Sequence, residues 1–264
     1  MIIDFHTHVF PDDMAHKTVK KMAEIASTEL FTPGTQNGLI QSMAGHGVSF
    51  SVTQPVATKA EQVKSINNWT IEHRRPELIP FGAIHPDYPH IREELERLKG
   101  EGFKGVKLHP DYQAFYPMED RLKPIYRTCV DLGLIILFHA GDDIGHPRPG
   151  HSLPRLLSQV HDEYPALRLV FAHMGGYEMW DQARKYLVGK NVFLDTSYTF
   201  PFLPKEQVIE IIRKHGAEQI LLGSDSPWGD LGYDLSYMES LDITDQEKKL
   251  ILGENAIKLL GLDS

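Results

Sequence analysis

The sequence predicts an α/β chain closed into a (β/α)8 barrel, distorted by a long loop-and-helix insertion after its first strand. Three observations carry this expectation. Short apolar runs bounded by Gly, Pro or Asn alternate with segments of helical periodicity along the whole chain. Most of these runs are solid β-branched or aliphatic stretches, as expected of strands buried on both faces of a helix-covered parallel sheet. The length, 264 residues, matches an eight-unit barrel of about 250 residues. A doubly wound open sheet is the alternative, but no Gly-rich dinucleotide fingerprint follows the first run. No internal repeat, low-complexity tract or linker-like composition shift divides the chain, so residues 1–264 are expected to form one domain.

In chain order, a first strand is predicted at Ile2–Phe5. The segment Val9–Gly34 that follows is long for a connection; part of it, Met14–Ala26, has helical composition. A cover over the barrel mouth and a plain surface insertion both fit it. Further strands are predicted at Val48–Gln54, Ile79–Ile84, Gly105–Leu108, Leu134–Phe138, Leu167–Ala172, Val192–Thr196 and Ile220–Gly223. Between them, Ile91, Leu95 and Leu98 mark the buried face of one helix, opposite Glu93, Glu94, Glu96, Arg97 and Lys99. Leu122, Ile125, Tyr126, Cys129 and Val130 repeat the pattern, with Cys129 read as a buried small hydrophobe. Other helices are predicted near 58–75, 154–163, 177–188, 204–215 and 245–260. Thr244 with Glu247 three residues on looks like a capping box opening the last.

Composition excludes several functions. One cysteine rules out an intramolecular disulfide framework. The net charge of −9 disfavours nucleic acid, whose phosphates require clustered Lys and Arg. No apolar run is long enough to span a membrane, and the N-terminus lacks the basic and apolar regions of a signal peptide. The expectation is a cytoplasmic protein, with a homodimer left open.

The chemistry lies where polar residues fall relative to the predicted strands. His6 and His8 follow the first strand, His85 the third, and Lys107 and His109 fall at the end of the fourth. His139 ends the fifth, His173 the sixth and Asp225 the eighth. In a barrel all of these lie at the C-terminal mouth, where active sites of this architecture are built. Residues two apart on a strand point to one side, so His6-Thr7-His8 aims two imidazoles into one space, as a divalent transition metal requires. Adding His139 and Asp225 gives three imidazoles and a carboxylate, with room for an activated water. His173, before two glycines, can act as a proton-transfer group, an electrophile or a further ligand. His146, Arg148 and His151 lie in the loop after the fifth strand, where a cation can hold a substrate carboxylate, Arg148 in bidentate fashion. Tyr198, Phe200, Phe202 and Trp228 can form an apolar wall.

These motifs together resemble the amidohydrolase superfamily, in the branch containing aminocarboxymuconate-semialdehyde decarboxylase and resorcylate decarboxylase. The matching pieces are Asp4-Phe5-His6-Thr7-His8, Gly105-Val106-Lys107-Leu108-His109-Pro110, His139-Ala140-Gly141, Ala172-His173-Met174-Gly175-Gly176, Gly223-Ser224-Asp225-Ser226-Pro227-Trp228 and Leu252-Gly253-Glu254-Asn255-Ala256. The resemblance implies one divalent ion, zinc first and manganese as alternative, held by His6, His8, His139 and Asp225, with His173 beside it. Other superfamily members carry a carboxylated lysine bridging two metals near the position of Lys107; here an unmodified ammonium is expected. A cation beside a metal is unfavourable unless an anion lies between them, so Lys107 points to an anionic small-molecule substrate. The expected substrate-binding residues are Lys107, His109, Arg148 and Trp228, and the expected catalytic residues are Asp225 and His173. The first functional expectation is hydrolysis of an amide, ester or lactone, with Asp225 taking a proton from the activated water. The alternative is decarboxylation of a small unsaturated or aromatic acid. A noncatalytic metal-binding barrel is the remote third.

Overall fold

A computed structural model describes residues 1–262. Strands β1 (Ile3–Thr7), β2 (Phe50–Thr53) and β3 (Leu78–Pro80) pair in parallel. A second parallel run holds β4 (Gly82–Ala83), β5 (Gly105–Leu108), β6 (Ile135–Phe138), β7 (Arg168–Phe171), β8 (Phe193–Asp195) and β9 (Ile220–Leu221), in that order. Two seams join the runs. At the first, the predicted strand Ile79–Ile84 is corrected to two pieces broken at Phe81, whose N–H donates to Thr53 O at 3.1 Å. Pro80 has no N–H for the ladder, and here the chain passes from pairing with β2 to pairing with β5. At the second seam Phe5 N donates to Leu222 O at 2.7 Å and Asp225 N to His6 O at 2.8 Å. The eight-position ring is thereby hydrogen-bonded all round.

Side chains alternate across the strands. Ile135 and Leu137 pack with Ile3, Phe5, Val52, Phe81, Val170 and Leu221. Ile136 and Phe138 face the other way, against helix residues such as Leu98, Ile125, Cys129 and Leu157. Both faces are therefore buried, which is why the runs read as solidly apolar.

Helix α1 (Asp12–Ala26) occupies most of the inserted segment and α2 (Gln36–His46) follows it. The segment crosses the mouth of the ring. Thr28 Oγ1 accepts from the Tyr198 hydroxyl at 2.8 Å, after β8, and Phe31 N donates to Pro227 O at 2.9 Å, after β9. A Cβ placed on Gly145, after β6, would lie 3.6 Å from Ile25 Cγ2. It is a cover, not a plain surface insertion.

The outer helices α3 (Gln62–Glu72), α4 (Ile91–Gly100), α5 (Lys123–Leu132), α6 (Pro154–Glu163), α7 (Trp180–Tyr186) and α8 (Lys205–His215) lie at or within the predicted spans or shifted by a few residues. The last predicted helix is broken into α10 (Asp245–Lys249) and α11 (Asn255–Leu260), with a π-helical turn at Leu250–Glu254 between them. Ile251 O accepts from Leu222 N at 3.0 Å, so that carbonyl serves the ring. The capping box at Thr244 and Glu247 is present. Two helices escaped the sequence reading, α2 and α9 (Leu231–Glu239). Each opens on a capping side chain, Thr35 accepting from Gly38 N and Asp230 from Gly232 N and Tyr233 N. Among the described residues no helix is long and apolar enough to cross a membrane.

Asn67 of α3 patches the short strand β4. Its Oδ1 accepts from Ala83 N at 2.8 Å and its Nδ2 donates to Ala83 O at 2.9 Å and to Glu94 Oε1 at 2.8 Å. Asn67→Ala leaves both backbone groups of Ala83 buried and unpaired, and is expected to cost about 2–4 kcal/mol in urea unfolding. Burial pushes the Glu94 carboxyl up, but hydrogen bonds from Arg97 and Asn67 outweigh it and hold it below its ordinary 4.5. A carboxyl depressed in the folded state stabilises above its unfolded pKa and loses that contribution as pH falls through the native value. Unfolding midpoints should therefore decline below about pH 4.5, and Glu94→Gln should make that decline shallower.

Candidate metal centre

The closing seam of the ring builds the site. His6 lies within β1 and His8 just beyond it, while Asp225 follows β9. Asp225 sits at φ 67°, a left-handed conformation that Asp tolerates better than most residues and that is common at functional turns. Asp4 reinforces the seam, accepting from Ser224 N at 2.9 Å, Ser224 Oγ at 2.6 Å and His6 N at 3.2 Å. Burial pushes its carboxyl up to about 7.

Each imidazole of the pair is anchored through Nδ1 and turned inward through Nε2. His6 Nδ1 bonds Asp195 Oδ2 at 2.9 Å, and His8 Nδ1 donates to Gln54 O at 2.8 Å. Their Nε2 atoms lie 3.4 and 3.2 Å from the same oxygen, Asp225 Oδ1. Burial and the Lys107 ammonium lower His6 to about 4, keeping it neutral. Burial would raise Asp225, but the His8 hydrogen bond and the neighbouring imidazoles of His6 and His173 outweigh it and hold the carboxyl far below its ordinary range. Asp195 falls to about 2, its burial outweighed by His6. A carboxylate behind a ligating imidazole is a usual support for a metal, fixing its tautomer and orientation. His6, His8 and Asp225 converge tightly enough to hold a divalent ion, and the neutral His6 and ionised Asp225 fit it.

His173, after β7, adjoins this trio; His139, after β6, adjoins His173 with ring centroids 4.9 Å apart and is not among the three converging donors. The His6 and His173 rings stack with centroids 5.5 Å apart. His173 and Met174 both have left-handed backbones, φ 58° and 53°, at the turn after β7. Ser197 Oγ donates to Asp195, so its lone pairs and Ser197 O receive the proton of His173 Nδ1, at 3.0 and 2.9 Å. His173 Nε2 is then an acceptor for His139 Nδ1 at 3.1 Å. That leaves His139 Nε2 as a buried lone pair whose hydrogen-bonding contact is with another acceptor, Asp142 O at 3.3 Å. A cation suits such an orphan. Burial, then the neighbouring His109 and His173 imidazoles, holds His139 well below its ordinary value.

The remaining expected residues divide. Lys107, fully buried on β5, lies 3.0 Å from His6 Nε2, where its ammonium stands in the place of a cation. Burial lowers it to about 8. Its partner is thus His6; Asp195 is taken by His6 and Ser197. Trp228 packs on His8 with centroids 5.4 Å apart. His109 stacks on His139 beside the trio. Arg148 is half-exposed and ion-paired with Glu178, with Asp142 Oδ2 3.6 Å from its Nε. His146 packs on Tyr112 and His151 on Tyr116. His85 caps a turn, its Nδ1 accepting from Asp87 N at 3.1 Å. Tyr198 and Phe202 join Tyr177, whose ring lies 6.2 Å from His173, in an aromatic wall. Phe200 does not belong to it; it is buried flat against Tyr237. Asp195 and Ser197 went unassigned in the sequence, although Asp195 ends a strand at the same rim.

Against known proteins, the Amidohydro_2 amidohydrolase family model matches residues 3–262, and the chain belongs to this family of enzymes. A gamma-resorcylate decarboxylase of Polaromonas sp. is 28% identical over 133 residues, 43% of this chain and 40% of that protein. A 2-amino-3-carboxymuconate-6-semialdehyde decarboxylase of Dictyostelium discoideum is 23% identical over 205 residues, 65% of this chain and 57% of that one. The matched stretches thus span about half the length of these curated relatives. Among solved structures, a dihydroxybenzoic acid decarboxylase of Polaromonas sp., with bound manganese and the inhibitor 2-nitroresorcinol, superposes with a TM-score of 0.73 at 19% identity, covering 100% of this chain and 97% of that one. The fold is therefore the barrel that the sequence led us to expect.

His8→Ala removes an inward-turned Nε2 and should sharply lower the metal retained through purification, as read by elemental analysis. His173→Ala, which touches the trio only by ring contact, should retain it. Equal loss in both variants would make His173 a ligand.

Proposed function

We propose that this protein is a metal-dependent decarboxylase of a small aromatic acid. The observation that carries the reading is the His6–His8–Asp225 convergence with a buried lysine beside it, in a chain whose named relatives are decarboxylases. Hydrolysis, the first expectation from the sequence, has no such support among the relatives.

His6, His8 and Asp225, with His139 as the fourth ligand, would hold a divalent ion, manganese or zinc. When bound, the ion supplies positive charge that polarises an oxygen of the acid and offsets the charge released as the carbon–carbon bond breaks. Lys107 holds the substrate anion: an ammonium buried beside the ion site is balanced only by negative charge between the two. The departing CO2 leaves an electron pair on the ring carbon, which must take up a proton. A ring hydroxyl beside the acid group gives its proton to a carboxylate oxygen of Asp225, which returns it to that carbon, leaving CO2 and the ring oxyanion. His173, fixed through Nδ1 by Ser197, keeps the neighbouring imidazole in one tautomer. Trp228, Tyr177 and Tyr198 flank the cluster with aromatic faces and exclude water.

Incubation of manganese-loaded protein with dihydroxybenzoic acids should release CO2, while a panel of amides, esters and lactones stays intact; the reverse pattern would restore the hydrolytic reading. Asp225→Asn should abolish turnover, and His173→Ala, which frees the His139 ring, should lower kcat by roughly 10–100-fold. Lys107→Met should raise KM for the acid and leave the metal content unchanged; a carboxylated Lys107 with two bound metals would contradict its role.

A further inference from the structure

His109 was expected to touch substrate, but the structure gives it a different set of neighbours. Its ring lies flat on His139, centroids 4.1 Å apart and planes within 8°. Its Nδ1 accepts the backbone N–H of Tyr112 at 3.4 Å, so the ring proton sits on Nε2. That Nε2 faces Asp143 Oδ2 at 3.4 Å. Asp143 is in turn pinned through Oδ1, by Gly145 N at 2.7 Å and by the Tyr112 hydroxyl at 3.2 Å. The Tyr112 ring packs on His109 from the side, centroids 4.3 Å apart. Every polar atom of His109 is thus engaged, and the face of its ring is spent on His139.

We propose that His109 is a positioning residue: clamped by Asp143 and Tyr112, it fixes the plane in which His139 presents its ring to the ion. This rests on the reading that His139 is a ligand. Two physical arguments support it. The bond to His173 holds one edge of the His139 ring, and a flat neighbour at van der Waals distance removes the remaining tilt before the metal arrives. A ligating imidazole also loses electron density to the cation, and the carboxylate of Asp143, reaching it through a neutral His109, offsets that loss. His109, His139 and Asp143 are close enough together to suggest a second cation site. The tautomer argues otherwise, because an Nε2 that carries the proton offers no lone pair to a metal.

The test is manganese binding, alone and without substrate, by titration of chelator-stripped protein. His109→Ala should weaken affinity roughly 10–100-fold, the usual effect of losing a support behind a ligand. His109→Phe, which restores a flat ring without any donor, should bind close to the wild type. Loss of affinity in both variants alike would make the imidazole itself a ligand and overturn the proposal; so would unchanged affinity in both. Two equivalents in the wild type falling to one in Asp143→Asn would establish a second ion and overturn it as well. No binding by the wild type would instead defeat the functional reading, and with it this one.

Discussion

The site depends on one backbone hydrogen bond, from Asp225 N to His6 O at 2.8 Å. It belongs to the seam where the last strand meets the first, and residues 219 positions apart become neighbours there. Without the seam the two imidazoles of β1 have no carboxylate between them. Asp4 and Ser224 brace it with side-chain bonds, and the Ile251 carbonyl reaches in from the interrupted last helix. The helix gives up regular α-geometry at that turn, and the ring gains a bond.

Closure also explains the electrostatics. Strands running in parallel deliver all of their C-terminal ends to one rim, so imidazoles, a lysine and carboxylates are crowded where water is largely excluded. Burial favours neutral imidazoles, and interlocked hydrogen bonds keep the carboxylates ionised. A neutral imidazole offers a lone pair and an ionised carboxylate offers charge, so the crowding leaves the groups in the states a divalent ion needs. The cover formed after β1 is tied over the rim by its bonds to the loops after β8 and β9.

Much of this was legible in the sequence. Solid apolar runs announced strands buried on both faces, and the polar residue ending each run marked the rim. His6, His8 and Asp225 could be grouped from that alone. The break at Phe81 was not legible, because Ile79–Ile84 is continuously apolar and only the change of pairing partner divides it. Helices α2 and α9 were missed because their apolar periodicity is weak, although Thr35 and Asp230 signalled their starts. Asp195 was given no place in the site from the sequence. A residue behind a ligand leaves no mark beyond its place at a strand end, and its bond to His6 crosses 189 positions. His109 looked like a substrate contact because it shares the rim; only the fold shows that its ring is already occupied.

The central claim is that the first and last strands together hold the ion. Anomalous diffraction from crystals of the manganese-loaded protein tests it most directly. The account requires a peak within coordination distance of His6 Nε2, His8 Nε2 and Asp225 Oδ1. A peak held by His109, His139 and Asp143 alone, with the trio empty, would contradict it.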